Sequence, residues 1–220
     1  MLSLDGDVLR EMQCFFGGGT AIVLMRDEFR ESVDIDFLVS DARCYGELRS
    51  SLRSAGSLAP ITREGVQPIA LERDLRADQY GVRCRVLAGE VAIKLELVRE
   101  ARIDFDPADA GICGVPVLSG SDLAASKLLA NSDRWADDGV LSRDIIDLAM
   151  LNASRHELAR AYTKASAAYG QSIEKDLNKA IDKMVDRSGW LDRCMNALSV
   201  SAPKALVLER IKALRRVVRG

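Results

Sequence analysis

The chain has 220 residues, of which 48% are hydrophobic and 29% are charged, and its formal net charge at pH 7 is −2. This composition excludes a disordered chain and indicates one large globular domain or two small ones. The slight excess of acid also excludes a general electrostatic affinity of the whole molecule for nucleic acid.

The N-terminus has no basic segment followed by an apolar one, and no apolar run reaches the roughly 20 residues that a membrane helix requires. We therefore expect a cytoplasmic protein with no membrane partner. The single histidine, His156, gives no support for a histidine-based catalytic triad. Five widely spaced cysteines without a C-x-x-C pair argue against a disulfide framework and against a zinc site.

The first informative element is a glycine turn before a helix-like segment. Gly18 and Gly19 are followed directly by Thr20 and the apolar run at residues 21–25. Glycine reaches positive φ and lets backbone N–H groups approach an anion closely, so the turn is a candidate phosphate-binding loop. Taken alone, the same pattern is also typical of an ordinary turn.

An acidic strand comes next. Residues 33–39 read VDIDFLV, and the period of two places Asp34 and Asp36 on one face of a predicted strand. Two carboxylates this close on an otherwise apolar strand need a cation or a shared proton, and Mg²⁺ suits them best. Together with the glycines, this pair predicts a site for a nucleoside triphosphate and its metal ions.

Further short apolar runs follow before residue 120, at residues 81–87, 91–98 and 112–118, with a hairpin turn predicted at residues 88–90. In the run at residues 91–98, Lys94 and Glu96 share the face that is not the main apolar one. Glu96 could therefore join the two aspartates. The alternative is an ion pair with Lys94 on a solvent-facing strand.

From residue 120 onward only helical patterns remain, at residues 121–135, 142–152, 155–168, 172–187, 190–198 and 203–218. We therefore predict an α+β fold, with an α/β domain at residues 1–120 and a helical domain at residues 121–220. The last helix carries a basic face that includes Arg210, Arg215 and Arg219. Such a face could contact RNA, although a solvated helix surface is the more frequent meaning.

Lys127 is the only cation in the apolar middle of the first of these helices. It either reaches a bound anion or extends its ammonium group to water at the helix edge. Asp144 and Asp147 lie three residues apart on one face of the next helix, where they could orient Lys127 or a substrate group. Asp144 could also simply act on the dipole of its own helix.

These residues resemble a known family. The segment GGT at residues 18–20, followed by R-x-S-x-D-I-D-F at residues 30–37, resembles the DNA polymerase beta-like nucleotidyltransferases and, more narrowly, the AbiEii toxins, relatives of the MenT toxins. Residues 92–98, 122–130 and 143–148 resemble the later motifs of that group. The resemblance covers about residues 14–150.

The resemblance implies a nucleotidyltransferase fold and a Mg²⁺- or Mn²⁺-dependent transfer of NMP from an NTP to a hydroxyl group. It implies that Asp34, Asp36 and Glu96 bind the metal ions and that Lys127 acts on the phosphates. It further implies nucleotide contacts from the following residues: Gly18, Gly19, Thr20, Ser32, Lys94, Asp144 and Asp147. Its implied partners are tRNA or another RNA and a cognate antitoxin. A small-molecule acceptor, or a nucleotide-binding protein without catalysis, are the alternatives.

Overall fold

The computed structural model describes residues 1–216, except for the side chains of residues 108–110. The described residues have the predicted α+β architecture. The strands are β1 (Phe15–Gly17), β2 (Ile35–Val39), β3 (Arg76–Ala77), β4 (Gly81–Ala88), β5 (Val91–Arg99), β6 (Pro107–Ile112) and β7 (Val115–Leu118). The α-helices are α1 (Gly6–Glu11), α2 (Gly18–Met25), α3 (Ala42–Ala55), α4 (Gly120–Arg134), α5 (Arg143–Leu151), α6 (Arg155–Tyr169), α7 (Ser172–Asp186), α8 (Trp190–Ala197) and α9 (Lys204–Ala213).

The chain divides into two compact units. Residues 1–21 and 33–119 form the first unit, whereas residues 22–32 and the chain from Gly120 onward form the second. Helix α2 therefore begins in the first unit and ends in the second. No helix in the part of the chain that the structure describes combines the length and the apolar character needed to cross a membrane.

The first unit is built on a seven-stranded mixed sheet with the order β3-β4-β5-β2-β1-β7-β6. Strand β2 runs parallel to β5 and antiparallel to β1, so it lies inside the sheet. Its apolar positions Phe37 and Val39 are fully buried, and the ring of Phe37 packs 5.6 Å from that of Phe16 on β1. This apolar packing fixes which face of β2 its acidic residues occupy.

Helix α3 belongs to the same unit, and a residue at each end accounts for where the helix begins and ends. The Asp41 carboxylate accepts a hydrogen bond from the backbone N–H of Cys44 at the start of α3, and Gly56 takes a left-handed conformation after its last turn.

Several predicted boundaries in the first unit are wrong. Strand β2 begins at Ile35, so Asp34 precedes the strand instead of lying within it. The single strand predicted at residues 112–118 is a hairpin of β6 and β7, because Cys113 and Gly114 both have positive φ and turn the chain. The hairpin turn between β4 and β5 forms as predicted, with φ of Gly89 at +63°.

The second unit consists of helices around an apolar core that includes Ile181, Trp190 and Ile211. Helix α6 begins with a reciprocal cap in which the Ser154 hydroxyl accepts from the Glu157 N–H and the Glu157 carboxylate accepts from the Ser154 N–H. The helix predicted at residues 203–218 is shorter: α9 ends at Ala213 and a 3₁₀ turn follows at Leu214–Arg216. The rest of that predicted helix, including Arg219 of its basic face, lies outside the described residues.

Candidate functional site

The predicted glycine turn is a direct junction between β1 and α2. Gly17 ends the strand and Gly18 begins the helix, so no loop separates the two elements. Gly18 has φ of +69°, and a Cβ atom added there would lie only 2.4 Å from Oδ2 of Asp36. Glycine is therefore required both for the backbone conformation and for the close approach of the Asp36 carboxylate.

Replacing Gly18 by alanine is expected to displace the Asp36 carboxylate and to lower the nucleotidyl transfer that the resemblance implies about a hundredfold, the typical cost of a misplacement near 1 Å. Single-turnover transfer rates would measure the effect. Gly46→Ala is the matched control, because Gly46 lies inside α3 with nothing within 4 Å of an added Cβ. Unchanged transfer in Gly18→Ala would contradict a functional role for the junction.

The acidic residues of the first unit lie close together on neighbouring strands. Asp36 pairs in register with Glu96 on the parallel strand β5, which puts both carboxylates on one face of the sheet. Asp34 precedes this position, is half-buried, and forms no ion pair with any described residue. Of the predicted metal-binding residues, the structure thus brings Asp36 and Glu96 side by side.

Glu96 is already engaged by cations. Nε of Arg83 lies 3.1 Å from Oε1 of Glu96, and the Lys94 ammonium group contacts the other carboxylate oxygen. The ion pair considered as the alternative role of Lys94 and Glu96 is therefore present. Hard carboxylate oxygens at Asp34 and Asp36 fit a magnesium ion, whereas the charge of Glu96 is largely offset by its two partners.

No three of the described His, Cys, Asp or Glu residues are grouped closely enough to hold a metal ion by themselves. A small hard cation such as Mg²⁺ commonly takes one or two carboxylates and completes its shell with water and substrate phosphates. The donors present fit that pattern, with Asp34 and Asp36 as the protein ligands.

The second unit holds a buried ion cluster, formed by Arg30, Lys127, Arg134, Asp144 and Asp147. Nζ of Lys127 lies 2.7 Å from Oδ2 of Asp147 and 3.1 Å from Oδ1 of Asp144. Arg30 donates to both carboxylate oxygens of Asp147, at 2.6 and 2.8 Å, and Arg134 donates to both oxygens of Asp144, at 2.6 and 2.9 Å. Three cations thus surround two buried carboxylates, and Arg134, whose side chain is 35% exposed, lies at the edge of the cluster.

This cluster rules out one of the two interpretations of Lys127. The side chain of Lys127 is only 9% exposed and lies between two carboxylates, so it does not extend to water at the helix edge. Asp144 and Asp147 both contact the Lys127 ammonium group, as the hypothesis that they orient it requires. Asp144 also lies in the first turn of α5, so its charge is favourable to the helix dipole as well.

The cluster shifts the pKa values of its members. Burial raises the pKa of Asp144, but the neighbouring charges of Lys127 and Arg134 outweigh it and lower the pKa to about 2. Burial lowers the pKa of Lys127, but the charges of Asp147 and Asp144 outweigh it and raise the pKa above its ordinary value. Asp144 and Lys127 are therefore both held in their charged forms at neutral pH.

The lowered pKa of Asp144 predicts a loss of stability in acid. In the unfolded chain this carboxyl binds its proton near its ordinary pKa of 3.8, whereas in the folded chain it does so only near 2. Its contribution is therefore fully present above pH 4 to 5 and is lost as the pH falls toward 2, by about 2 kcal/mol. Urea unfolding across this range would measure it. The difference between the chain and its Asp144→Asn variant should shrink toward pH 2, and a constant difference would contradict the prediction.

The predicted site residues do not include three cations that contribute to these clusters: Arg30, Arg83 and Arg134. Arg30 is 7% exposed and lies in the segment at residues 30–37, where its position before the acidic strand is the only local signal of a role. Arg134 follows Lys127 by seven residues, about two helical turns, which places both on one side of α4. Arg83 lies opposite Glu96 on β4, and only the strand pairing reveals that relation.

The predicted site residues fall into two groups, each within one unit. The first unit holds the glycine junction, the acidic residues and their partners: Gly18, Gly19, Thr20, Asp34, Asp36, Lys94 and Glu96. The second unit holds Ser32, Lys127, Asp144 and Asp147. Thr20 is buried, and both Thr20 and Ser32 make polar interactions within the structure.

Comparison with protein families agrees with the sequence resemblance. A family model described as "Nucleotidyl transferase AbiEii toxin, Type IV TA system" matches residues 4–216. A solved H. pylori protein, provisionally described as a nucleotidyltransferase, is 18% identical with a TM-score of 0.46, and the match covers 97% of this chain and 91% of that one. JHP933 from Helicobacter pylori is 16% identical with a TM-score of 0.48, and the match covers 97% and 88% of the two chains. The comparison with curated proteins gave no match.

Proposed function

Because the chain belongs to the AbiEii nucleotidyltransferase toxin family across residues 4–216, we propose that it transfers a nucleoside monophosphate from an NTP to a hydroxyl group of RNA, with tRNA as the acceptor. The observation that carries the proposal is the contact of Gly18 with Asp36 at the start of α2, beside Glu96 on the neighbouring strand. This arrangement combines backbone N–H groups at a helix start with adjacent carboxylates. Those two features suit a metal-bound triphosphate.

In the proposed reaction the acceptor hydroxyl gives its proton to the Glu96 carboxylate and attacks the α-phosphorus, the bond from that phosphorus to the oxygen that bridges it to the β-phosphate breaks, and pyrophosphate leaves. Asp34 and Asp36 would hold Mg²⁺ or Mn²⁺, which when bound neutralises phosphate charge and stabilises the attacking and leaving oxygens. The protein itself contributes position and fixed charge, which dominate phosphoryl-type transfers. Gly18, Gly19 and Thr20 would present the helix start to the triphosphate.

Lys127 is the proposed cation for the phosphates. The buried ion cluster contains three cations and two carboxylates, so it carries one net positive charge that an anion would offset. The Lys127 ammonium group has three N–H donors and two carboxylate partners, which leaves one donor for a phosphate oxygen. Asp144 and Asp147 hold the ammonium group in place, while Ser32 and Lys94 are the proposed further nucleotide contacts.

Glu96 is proposed to act beside Asp36 as the third acid, held in position by Arg83 and Lys94. Glu96→Gln keeps the shape of the side chain and removes its charge, so transfer is expected to fall about a hundredfold, the scale of one lost acid–base group. Rates measured at saturating NTP and metal test this. A fall in rate of less than threefold would show that Glu96 takes no part in transfer and only forms its ion pairs.

The family description also names a type IV toxin–antitoxin system, and we propose that this chain is the toxin component with a cognate antitoxin. Toxicity of the expressed chain, lost in the transfer-inactive variant below, would support that role. Equal toxicity of the two would contradict it.

The decisive experiment incubates the purified chain with each α-labelled NTP, Mg²⁺ and total tRNA, alongside the Asp34→Asn/Asp36→Asn variant. Label in RNA with the unmodified chain alone would support the proposed reaction and identify the nucleotide. Label transferred only to added small molecules that carry hydroxyl groups would show that the acceptor is a small molecule and not RNA. NTP binding without transfer to any acceptor would contradict the proposed reaction and favour a nucleotide-binding role.

A further inference from the structure

The second unit contains a concave site that no step of the proposed reaction uses. We name it the α9 cavity: it has a volume of about 680 Å³ and lies between α5, α6 and α9. Its apolar lining comes from Leu148, Ala149, Ala153, Leu158, Ala159, Ala213 and Leu214. The volume falls in the range of pockets that bind small organic ligands.

Three of the five polar residues that line the α9 cavity are arginines: Arg155, Arg210 and Arg216, beside Asn152 and His156, and no Asp or Glu is found among its described lining residues. The side-chain hydrogen bond of Arg210 is a weak one, 3.7 Å to the Met150 sulfur. Within the described part of the chain, three guanidinium groups thus surround one cavity with no carboxylate at its wall.

Four other arginines of the same unit pair with aspartates: Arg30 with Asp147, Arg134 with Asp144, Arg187 with Asp138 and Arg215 with Asp182. The chain as a whole carries a net charge of −2. A cavity lined by arginines that form no ion pair with a described residue, in a slightly acidic protein, indicates an anionic ligand, because guanidinium groups match the geometry of carboxylates and phosphates closely.

The apolar lining narrows the class of anion. A nucleobase is usually read by stacking together with paired donors and acceptors; the described lining offers His156 and arginine side chains for stacking but no Phe, Tyr or Trp, and Asn152 is its only side chain with an amide acceptor. A peptide would likewise need acceptors for its backbone N–H groups. An alkyl chain needs neither, and it gains free energy from leaving water for a leucine- and alanine-lined space.

A second cavity extends the site. It has a volume of about 370 Å³, and Asn152 and Arg210 line both cavities. Arg210 therefore stands where the two spaces meet, in reach of a ligand that occupies either one. Leu206, Phe29 and Met150 add apolar surface to this second space, and Arg26 and Asp27 add one charge of each sign to its lining.

We infer that the α9 cavity binds an amphiphilic anion, namely an aliphatic carboxylate whose head group pairs with Arg210 and Arg216 while its alkyl chain contacts the leucine and alanine side chains. This binding site is separate from the proposed transferase chemistry and does not depend on it.

The test is calorimetric titration of the full chain with butanoate, octanoate and dodecanoate, each kept below the concentration at which it forms micelles. Binding should tighten roughly fourfold for each added methylene group, as expected for burial of alkyl surface. Affinity that does not change with chain length would overturn the inference.

Two variants test separately how the head group and the alkyl chain of the ligand are bound. Arg210→Gln/Arg216→Gln should weaken dodecanoate binding at least tenfold, whereas Lys212→Gln is the matched control, since Lys212 is an exposed cation of α9 that does not line the cavity. Ala213→Phe keeps every charge and places a phenyl ring in the space for the alkyl chain, so it should also weaken dodecanoate binding. Ala213 is exposed, which makes this substitution compatible with folding.

Two further results would overturn the inference: equal weakening by Lys212→Gln and by the arginine variant, or displacement of dodecanoate by ATP or by a short oligonucleotide at lower concentration. The Asp34→Asn/Asp36→Asn variant should bind dodecanoate as the unmodified chain does. Failure of the transferase proposal and failure of this one are therefore distinguishable.

Discussion

Replacing Asp36 by asparagine is expected to lower the rate of nucleotidyl transfer roughly a thousandfold, equivalent to ~4 kcal/mol of transition-state stabilisation. Asparagine has nearly the same shape as aspartate, so the apolar packing of Phe37 and Val39 on the opposite face of β2 should be preserved. The substitution removes the negative charge next to Gly18, where the proposal places a metal-bound triphosphate. The loss should therefore appear in the chemical step and in metal dependence.

The measurement is a single-turnover rate at saturating NTP, repeated over a series of Mg²⁺ and Mn²⁺ concentrations. Asp74→Asn is the matched control, because Asp74 is an exposed acid of the same unit with no ion pair to any described residue. A circular dichroism spectrum and an unfolding midpoint would establish that Asp36→Asn remains folded. Transfer within tenfold of the unmodified chain would contradict the placement of the metal at Asp36.

Local patterns predicted the acidic part of the candidate site well. Alternation in residues 33–39 and 91–98 placed Asp36 and Glu96 on the faces opposite the apolar core, and the structure puts them in register on adjacent strands. The period of a strand is a local property, so a single sequence contains it. The exception is Asp34, which lies one residue before β2, where strand boundaries are least reliable.

Short and irregular elements could not be predicted in this way. Strand β1 has three residues, Phe15–Gly17, too few to show a period, and its place in the sheet depends on pairing with β2 and β7. Strand β6 includes the segment PADAGI, whose residues favour turns over strands. Its pairing with β7 outweighs that local preference.

The side-chain contacts of the buried ion cluster could not be predicted from local patterns either. Arg30 and Asp147 are 117 positions apart, and no local pattern predicts that they share two hydrogen bonds. The spacing of Asp144 and Asp147 on α5 indicated a common face, but not which cations they meet. Long-range partners of charged residues are properties of the tertiary structure, and the sequence could only narrow the choice for Lys127.

The charge balance of the cluster predicts unequal effects of removing its members. Asp147→Asn leaves Arg30, Lys127 and Arg134 with Asp144 as their only carboxylate in the cluster, which raises the net buried charge from one to two. The side chain of Asp147 is fully buried, so water cannot easily compensate. We expect the free energy of unfolding to fall by about 3–5 kcal/mol, the usual cost of leaving buried charges unpaired.

Lys127→Met is the informative partner variant, because it changes the net charge of the cluster from one to zero. Asp147 keeps Arg30 and Asp144 keeps Arg134, so each carboxylate retains a bidentate partner. Methionine also fills much of the volume of the lysine side chain. The loss of unfolding free energy should therefore be less than half of that for Asp147→Asn, although transfer activity should fall sharply if Lys127 contacts the phosphates. Urea unfolding midpoints and slopes of both variants would measure the difference, and equal destabilisation would show that net charge does not govern this cluster.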